Sequence, residues 1–228
     1  MKDIETLRKE LSELDLKIIE LVHRRQVLSE EVGAIKRKKG RPTRDYQREK
    51  LVIELAKSHA KELGVDPSMV VDLMQLLIQS SLKTQESARV KEEGQGNGKR
   101  VLVIGGLGRM GAWFAEFMSM QGYEVHIADI NLDKEDDSHF INWANTNDDY
   151  DITVIATPLR QSIEILETIL ETGRSGMLFD IASIKSPIKE ILSKISAKGM
   201  KVTSIHPMFG PDTDLLTGKH VVFMNRDD

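Results

Sequence analysis

The sequence predicts two domains of different class: an all-α domain of three helices, then an α/β domain built on a doubly wound parallel sheet. Three observations carry this. Apolar residues at Ile4, Leu7, Leu11, Leu14, Ile18 and Leu21, resuming at Leu28, Val32 and Ile35, step by three and four, the seam of one long amphipathic helix packed on other helices. Residues 92–99 (EEGQGNGK) hold three glycines among polar groups, which reads as a flexible tether. After it, strand-like and helix-like stretches alternate, beginning with a strand that runs into Gly-x-Gly-x-x-Gly. The expected domains are 1–91 and 100–228, joined by 92–99.

The first helix is predicted from Asp3 to Lys39, with Gly40 as its stop and Pro42 beyond. A second begins near Asp45 and runs to Leu63, ended by Gly64. Asp66 and Pro67 supply an N-cap and a first-turn proline for a third, reaching about Val90. The next seam position after Leu21 is Arg25, and a cation on an apolar stripe is costly unless an anion meets it. That anion is either a buried carboxylate of the chain or a ligand. Lys36 follows Arg25 by eleven residues, three turns on, so the two sit about 16 Å apart on one side of the helix and can lean over a small anion. Arg8, seventeen residues before Arg25, lies roughly 25 Å away and rotated by about 100°. All three serve one site only if Arg8 comes from a second copy, which predicts a homodimer. On the third helix, Leu73, Leu77, Ser81 and Gln85 form one row that turns from apolar to polar. This is either a helix end entering solvent or a pocket floor with two neutral hydrogen-bonding groups. Asp45, Arg48 and Glu49 in the first turn of the second helix face the same space or are capping and surface residues.

The 228 residues are 40% hydrophobic and 30% charged, with net charge −4 and no cysteine. The net charge argues against a nucleic-acid binder, and the missing cysteines exclude disulfides and thiolate metal sites. No metal is expected. No apolar run approaches the length of a membrane span, and Met1 leads into a charged helix. The expected place is the cytoplasm. Residues 1–93 carry net +2 and the remainder net −6, so the mildly positive first half suits a small anionic ligand.

In the second half, RVLVIGG is read as a buried strand entering Gly106-Leu-Gly108-Arg109-Met110-Gly111, followed by a helix over AWFAEFMSMQG and a strand ending at Asp129. Between a strand and a helix, with an acid about twenty residues on, the glycine pattern is a dinucleotide-binding fingerprint of Rossmann type. The glycines admit the pyrophosphate, the helix start offers free N–H groups, and Asp129 accepts from the ribose hydroxyls, favouring NAD over NADP. Gly106, Gly108, Arg109, Met110, Gly111, Asp129 and Thr157 are the candidate cofactor contacts. Further strands are expected at Ile152–Ala156, Met177–Ile181, Val202–Ile205 and Val221–Met224, six in all. Sheets of this kind place ligands at the carboxyl ends of their strands. Two ends carry candidate chemistry: DIASIKSP, with Ser183, and SIHPMFGP, with His206. His23, His59, His126, His139 and His220 are read as structural.

Residues 4–90 resemble the all-helical chorismate mutases of the intertwined-dimer type. That resemblance implies that Arg8 of a partner chain and Arg25 bind the two carboxylates of chorismate. Lys36 and Gln85 would contact the ether oxygen and Glu49 the ring hydroxyl, with Asp45, Arg48 and Ser81 around them. The fingerprint, the A-S-x-K stretch and the HPMFG stretch look like the prephenate dehydrogenases of tyrosine synthesis, especially the bifunctional forms fused to a chorismate mutase. The resemblance implies that His206 interacts with the ring hydroxyl of prephenate, that Ser183 steadies it, and that NAD-dependent oxidative decarboxylation yields 4-hydroxyphenylpyruvate. Such dehydrogenases continue into a helical dimerisation domain, whereas this sequence ends at Asp228, so a fragment of a longer enzyme is expected, with the dehydrogenase half incomplete. The alternatives are a mutase whose second half only binds NAD, and a non-catalytic dimer that senses a metabolite and NAD.

Overall fold

The computed structural model describes residues 2–146, 149–213, 216 and 218–224. The chain forms two compact units, 1–89 and 90–228.

In the first unit, α1 spans Ile4–Lys38, α2 spans Tyr46–Glu62, and α3, which starts there, spans Pro67–Glu93. Asp3 caps α1 by accepting from the Thr6 N–H at 2.7 Å, and Lys36, Arg37 and Lys38 crowd its negative end. Gly40 adopts φ +60°; its N–H donates to the Arg37 carbonyl and that of Arg41 to the Lys36 carbonyl. This double closure needs a left-handed residue, which glycine supplies without strain. Gly64 ends α2 in the same way, and Asp45 caps its start through the Arg48 N–H.

The core of this unit is small. Ala60, Ile78 and Leu82 are its buried apolar side chains, beside buried Thr43, Ser81, Gln85 and Glu86. The seam of α1 is uncovered: Ile4, Leu7, Leu11, Leu14, Ile18 and Leu21 are 47–65% exposed, and Leu28, Val32 and Ile35 are exposed as well.

The second unit is a seven-stranded sheet in the order β3-β2-β1-β4-β5-β6-β7. Its strands are β1 Arg100–Ile104, β2 Glu124–Ala128, β3 His139–Phe140, β4 Ile152–Ile155, β5 Met177–Asp180, β6 Lys201–Pro207 and β7 Val221–Phe223. Helices α4 (Arg109–Met120), α5 (Leu159–Thr172) and α6 (Ser186–Ala197) connect them. Successive residues of a strand face opposite sides, and two cores result. Val103, Val154, Phe179 and Ile205 pack with Phe114 and Met118 of α4; Leu102, Ile155, Leu178 and Val202 pack with Leu166 of α5 and Ile188 of α6. Chain order reverses between β1 and β4, the switch point where such sheets bind ligands.

Two features differ from the expectation of six parallel strands. The two-residue β3 pairs parallel with β2; it lies in a polar stretch too short to show alternation. β7 pairs antiparallel with β6, and the residues between them include Gly210, Pro211 and Gly218, unsuited to the helix a parallel crossover needs.

The expected tether at 92–99 is also more ordered than its composition suggests. Glu92 and Glu93 belong to α3, the Gly96 N–H donates to Gln121 O, and the Gly98 N–H donates to Gly122 O. A Cβ on Gly96 would collide with the Gly122 and Tyr123 backbone, so this glycine serves close approach rather than flexibility. Gly96→Ala is therefore expected to destabilise the second unit by about 1–3 kcal/mol, the usual range for overpacking. A denaturant melt that does not change would instead restore the free tether.

Candidate functional site

In the first unit, the second half of α1 lies against the second half of α3. The Arg25 guanidinium is half-buried and donates to the Leu77 carbonyl at 2.8 Å and the Ser81 hydroxyl at 2.5 Å. Burial pulls its pKa below the ordinary arginine value, and no carboxylate among the described residues pairs with it. Within the single chain, Arg25 is thus held by neutral acceptors rather than by a carboxylate. One turn further along α3, buried Gln85 donates from Nε2 to the Ser29 carbonyl and hydroxyl at 3.0 and 2.7 Å. Its Oε1 is buried without a hydrogen-bond partner among the described residues. Ser81 and Gln85 are thus buried polar groups turned toward α1, not a helix end emerging into water.

Lys36 donates to the Thr43 carbonyl at 2.6 Å, which ties the end of α1 to the loop before α2. Next to Thr43, Arg44 forks onto Glu49 at 3.0 and 3.1 Å and stacks on the Tyr46 ring. Asp45 is engaged as a cap through the Arg48 backbone, and both residues are exposed. Arg8 stands apart, exposed and paired with Glu5 at 2.8 Å. One chain therefore joins Arg25 to Ser81, and Glu49 to Arg44, but leaves Arg8 outside. Ser29, Gly33, Thr43 and Arg44 escaped the sequence reading. Gly33 left a trace as the lone glycine inside the first helical pattern; a Cβ there would stand 2.6 Å from Gln85 Cγ.

In the second unit a cleft of about 830 Å3 opens at the switch point, lined among others by Gly105, Gly108, Asp129, Trp143, Thr157 and Glu164. Gly105, which sequence reasoning passed over, takes φ +83° and donates to Ala128 O at 2.7 Å. A Cβ on Gly106 would meet Ile127 at 2.5 Å, and one on Gly111 would collide with Gly105 O. These two glycines pack the loop against the sheet and α4. Gly108 is the N-cap of α4 and supplies no side-chain cap, so the first N–H groups of that helix remain available to an anion. Asp129 accepts from the Leu107 N–H at 3.0 Å and from Asn131 at 3.0 Å, which fixes its carboxylate at the cleft edge. Thr157 is held by Ser162 at 3.0 Å. Met110 packs on the α4 side of the sheet, and exposed Arg109 pairs with Asp212. These residues fit a dinucleotide: a glycine loop, an uncapped helix start and an acid share one cleft.

His206 lies within β6, opposite Val222, and its Nδ1 is buried without a hydrogen-bond partner among the described residues. Ser183 is exposed in the loop after β5 and so does not bond that nitrogen. Phe209 packs on Trp113 of α4, ring centres 4.9 Å apart, and anchors the loop beyond His206. Fully buried Asp180 accepts from Lys185 Nζ at 2.9 Å, and Lys185 also donates to Ile205 O at 2.7 Å. Neither residue was singled out from sequence, although Lys185 is the lysine of the A-S-x-K stretch. Of the remaining histidines, His126 is enclosed between Tyr150 OH and Glu124, and His59 and His139 pair with surface carboxylates.

Residues 7–86 match the family described as chorismate mutase type II, and residues 114–227 match the prephenate dehydrogenase nucleotide-binding domain. A chorismate mutase of Methanocaldococcus jannaschii is 32% identical over 94 residues, 41% of this chain and 93% of that protein. The chain belongs to the chorismate mutase family in its helical unit and to the prephenate dehydrogenase family in its α/β unit. The T-proteins of Enterobacter agglomerans and Haemophilus influenzae are each 26% identical across 97% of this chain. The chain spans 57% and 56% of their respective lengths. A probable arogenate/prephenate dehydrogenase of M. jannaschii is 28% identical over 130 residues, 54% of this chain and 29% of that protein. The mutase–dehydrogenase pairing expected from the resemblance thus agrees with the family assignment. Among the described residues no helix is long and apolar enough to cross a membrane.

The contact between Gly33 and Gln85 is directly testable. Gly33→Ala must displace the Gln85 side chain, and is expected to lower the stability of the helical unit by about 1–3 kcal/mol. Urea unfolding of the variant against the unmodified chain measures it.

Proposed function

We propose that this chain rearranges chorismate to prephenate in its helical unit, at sites completed by a second copy, and that its α/β unit binds NAD as part of a prephenate dehydrogenase. The observation that carries the first half is Arg25: a half-buried cation with no carboxylate partner among the described residues, above a floor of Ser81 and Gln85. The rearrangement is pericyclic and needs no nucleophile, metal or proton transfer. The enzyme has to hold the reactive conformer and stabilise negative charge on the ether oxygen as its bond breaks. Arg25, with Arg8 of a second protomer, would grip the two carboxylates, because a guanidinium fork fixes a carboxylate in direction. Lys36 and the Gln85 amide would serve the ether oxygen, and Glu49, held by Arg44, would accept from the ring hydroxyl. Asp45, Arg48 and Ser81 would complete the surroundings.

Two features of α1 call for the second copy. The seam from Ile4 to Leu21 is exposed along its length, and Arg8 is on the same uncovered half of α1, out of reach of Arg25 within one chain. Pairing two such seams buries the apolar surface and brings the arginine.

For the α/β unit, Gly106, Gly108 and Gly111 would let a pyrophosphate approach the start of α4, with Arg109 and Met110 in its first turn. Asp129 would accept from the ribose hydroxyls and disfavour a 2′-phosphate, and Thr157 would border the cleft opposite. Bound NAD supplies an acceptor for the hydride on the ring carbon; His206 would take the proton of that carbon's hydroxyl as CO2 is lost, and Ser183, which does not bond His206 Nδ1, would help orient the hydroxyl. The whole dehydrogenase would then yield 4-hydroxyphenylpyruvate in tyrosine synthesis.

A chorismate-depletion assay with product identification tests the first half. Lys36→Ala is expected to lower turnover by roughly 10²–10³-fold with the helical circular dichroism unchanged; an undiminished rate removes Lys36 from the site. In sedimentation, the unmodified chain is expected to be a dimer, and Ile18→Glu a monomer without mutase activity. Titration with NAD tests the second half. Asp129→Ala is expected to weaken NAD binding roughly 10- to 100-fold, the effect of a charge-assisted hydrogen bond, and to narrow the preference over NADP.

A further inference from the structure

Behind His206 lies a row of buried polar atoms that the proposed chemistry does not use. Asp180 and Ser204 are register partners on β5 and β6, and they are 0% and 2% exposed. Strand alternation puts Asp180 on the same side of the sheet as Leu178, and Ser204 and His206 on the same side as Val202; Leu178 and Val202 share one core with α6. Ser204 therefore sits between the other two, one strand from Asp180 and two residues from His206. Each has an unpartnered buried atom: Asp180 Oδ2, Ser204 Oγ and His206 Nδ1. Asp180 Oδ1 is taken by the Ala182 N–H at 2.9 Å and by Lys185 Nζ at 2.9 Å. The pairing with Lys185 keeps an acceptor in the interior, and its second oxygen is directed to nothing else among the described residues.

The three orphans are complementary. A carboxylate oxygen only accepts, a hydroxyl both donates and accepts, and an imidazole Nδ1–H only donates. Leaving each unmet is unfavourable, and a small side-chain adjustment or a buried water relieves it. We propose that Asp180 and Ser204 form a relay that holds the proton of His206 on Nδ1, with Ser204 accepting from the imidazole and donating to Asp180, so that Nε2 is the ring atom free to take a proton. Lys185 anchors the far end by binding both Asp180 and the Ile205 carbonyl, one residue before His206. Asp180 and Ser204 are positioning residues; they touch neither substrate nor cofactor. The relay builds on the reading of His206 as the base, and it assigns the tautomer which that role requires.

The test is the tautomer of His206 in the full chain, read from long-range proton–nitrogen spectra of 15N-histidine-labelled protein above the ordinary imidazole pKa, with His206→Asn identifying the signals. The unmodified chain is expected to show the Nδ1–H form. Ser204→Ala and Asp180→Asn are expected to move it toward the Nε2–H form that free imidazole prefers, changing the ratio roughly tenfold, as for one buried hydrogen bond. Ser204→Thr, which keeps the hydroxyl, should retain the Nδ1–H form. Nε2–H in the unmodified chain, or a ratio unmoved by Ser204→Ala in a folded protein, overturns the relay. If Asp180→Asn fails to fold, Ser204→Ala decides alone. NAD titration of the same samples separates the two levels: an unmodified chain with the Nδ1–H tautomer but no NAD binding sinks the dehydrogenase reading and leaves the relay standing.

Discussion

Arg25 stands on a stripe that is otherwise apolar, and the helical unit is arranged to tolerate it there. Its guanidinium reaches α3 through a backbone carbonyl and the Ser81 hydroxyl, two neutral acceptors that satisfy donors without cancelling charge. The uncompensated cation explains why α3 turns polar at Ser81 and Gln85 while staying on its buried face. It also explains the glycine at position 33. A side chain there would push Gln85 away from Ser29 and disturb the packing of α1 against α3.

Much of this was readable in the sequence, because it follows from spacing. Helix ends were marked by Asp3, Gly40, Asp45, Gly64 and Pro67, residues whose backbone or capping chemistry is local. Arg25 was visible as a break in a regular stripe. What spacing could not reveal is contact between segments distant in sequence: Gln85 on Ser29, Lys36 on the Thr43 carbonyl, Arg44 locked to Glu49. The order within 92–99 is hidden from composition for a related reason. Composition distinguishes a glycine that must bend from a glycine that must lie close to a neighbour only when the neighbour is known, and here the neighbour is the turn at Gln121–Gly122.

In the α/β unit the same division holds. The fingerprint glycines and Asp129 are consecutive in logic and nearly so in chain, so they were found together. The buried pair of Asp180 and Lys185 spans the end of one strand and the start of a helix, and its second contact, the Ile205 carbonyl, lies on another strand. Only the sheet register joins them to His206.

Arg44 has a further effect on the helical unit. By engaging both oxygens of Glu49, it balances one negative charge at the start of α2, yet leaves lone pairs on the carboxylate. In the proposed mutase site an arriving dianion would meet Arg25, Lys36 and Arg8 of a second protomer, with the Glu49 charge already paired. Rearrangement of such a ligand conserves both carboxylates, so the charge balance is the same before and after the bond breaks. Electrostatics alone would hold reactant and product alike, so in the proposed reaction discrimination between them, and the release of product, would fall to shape.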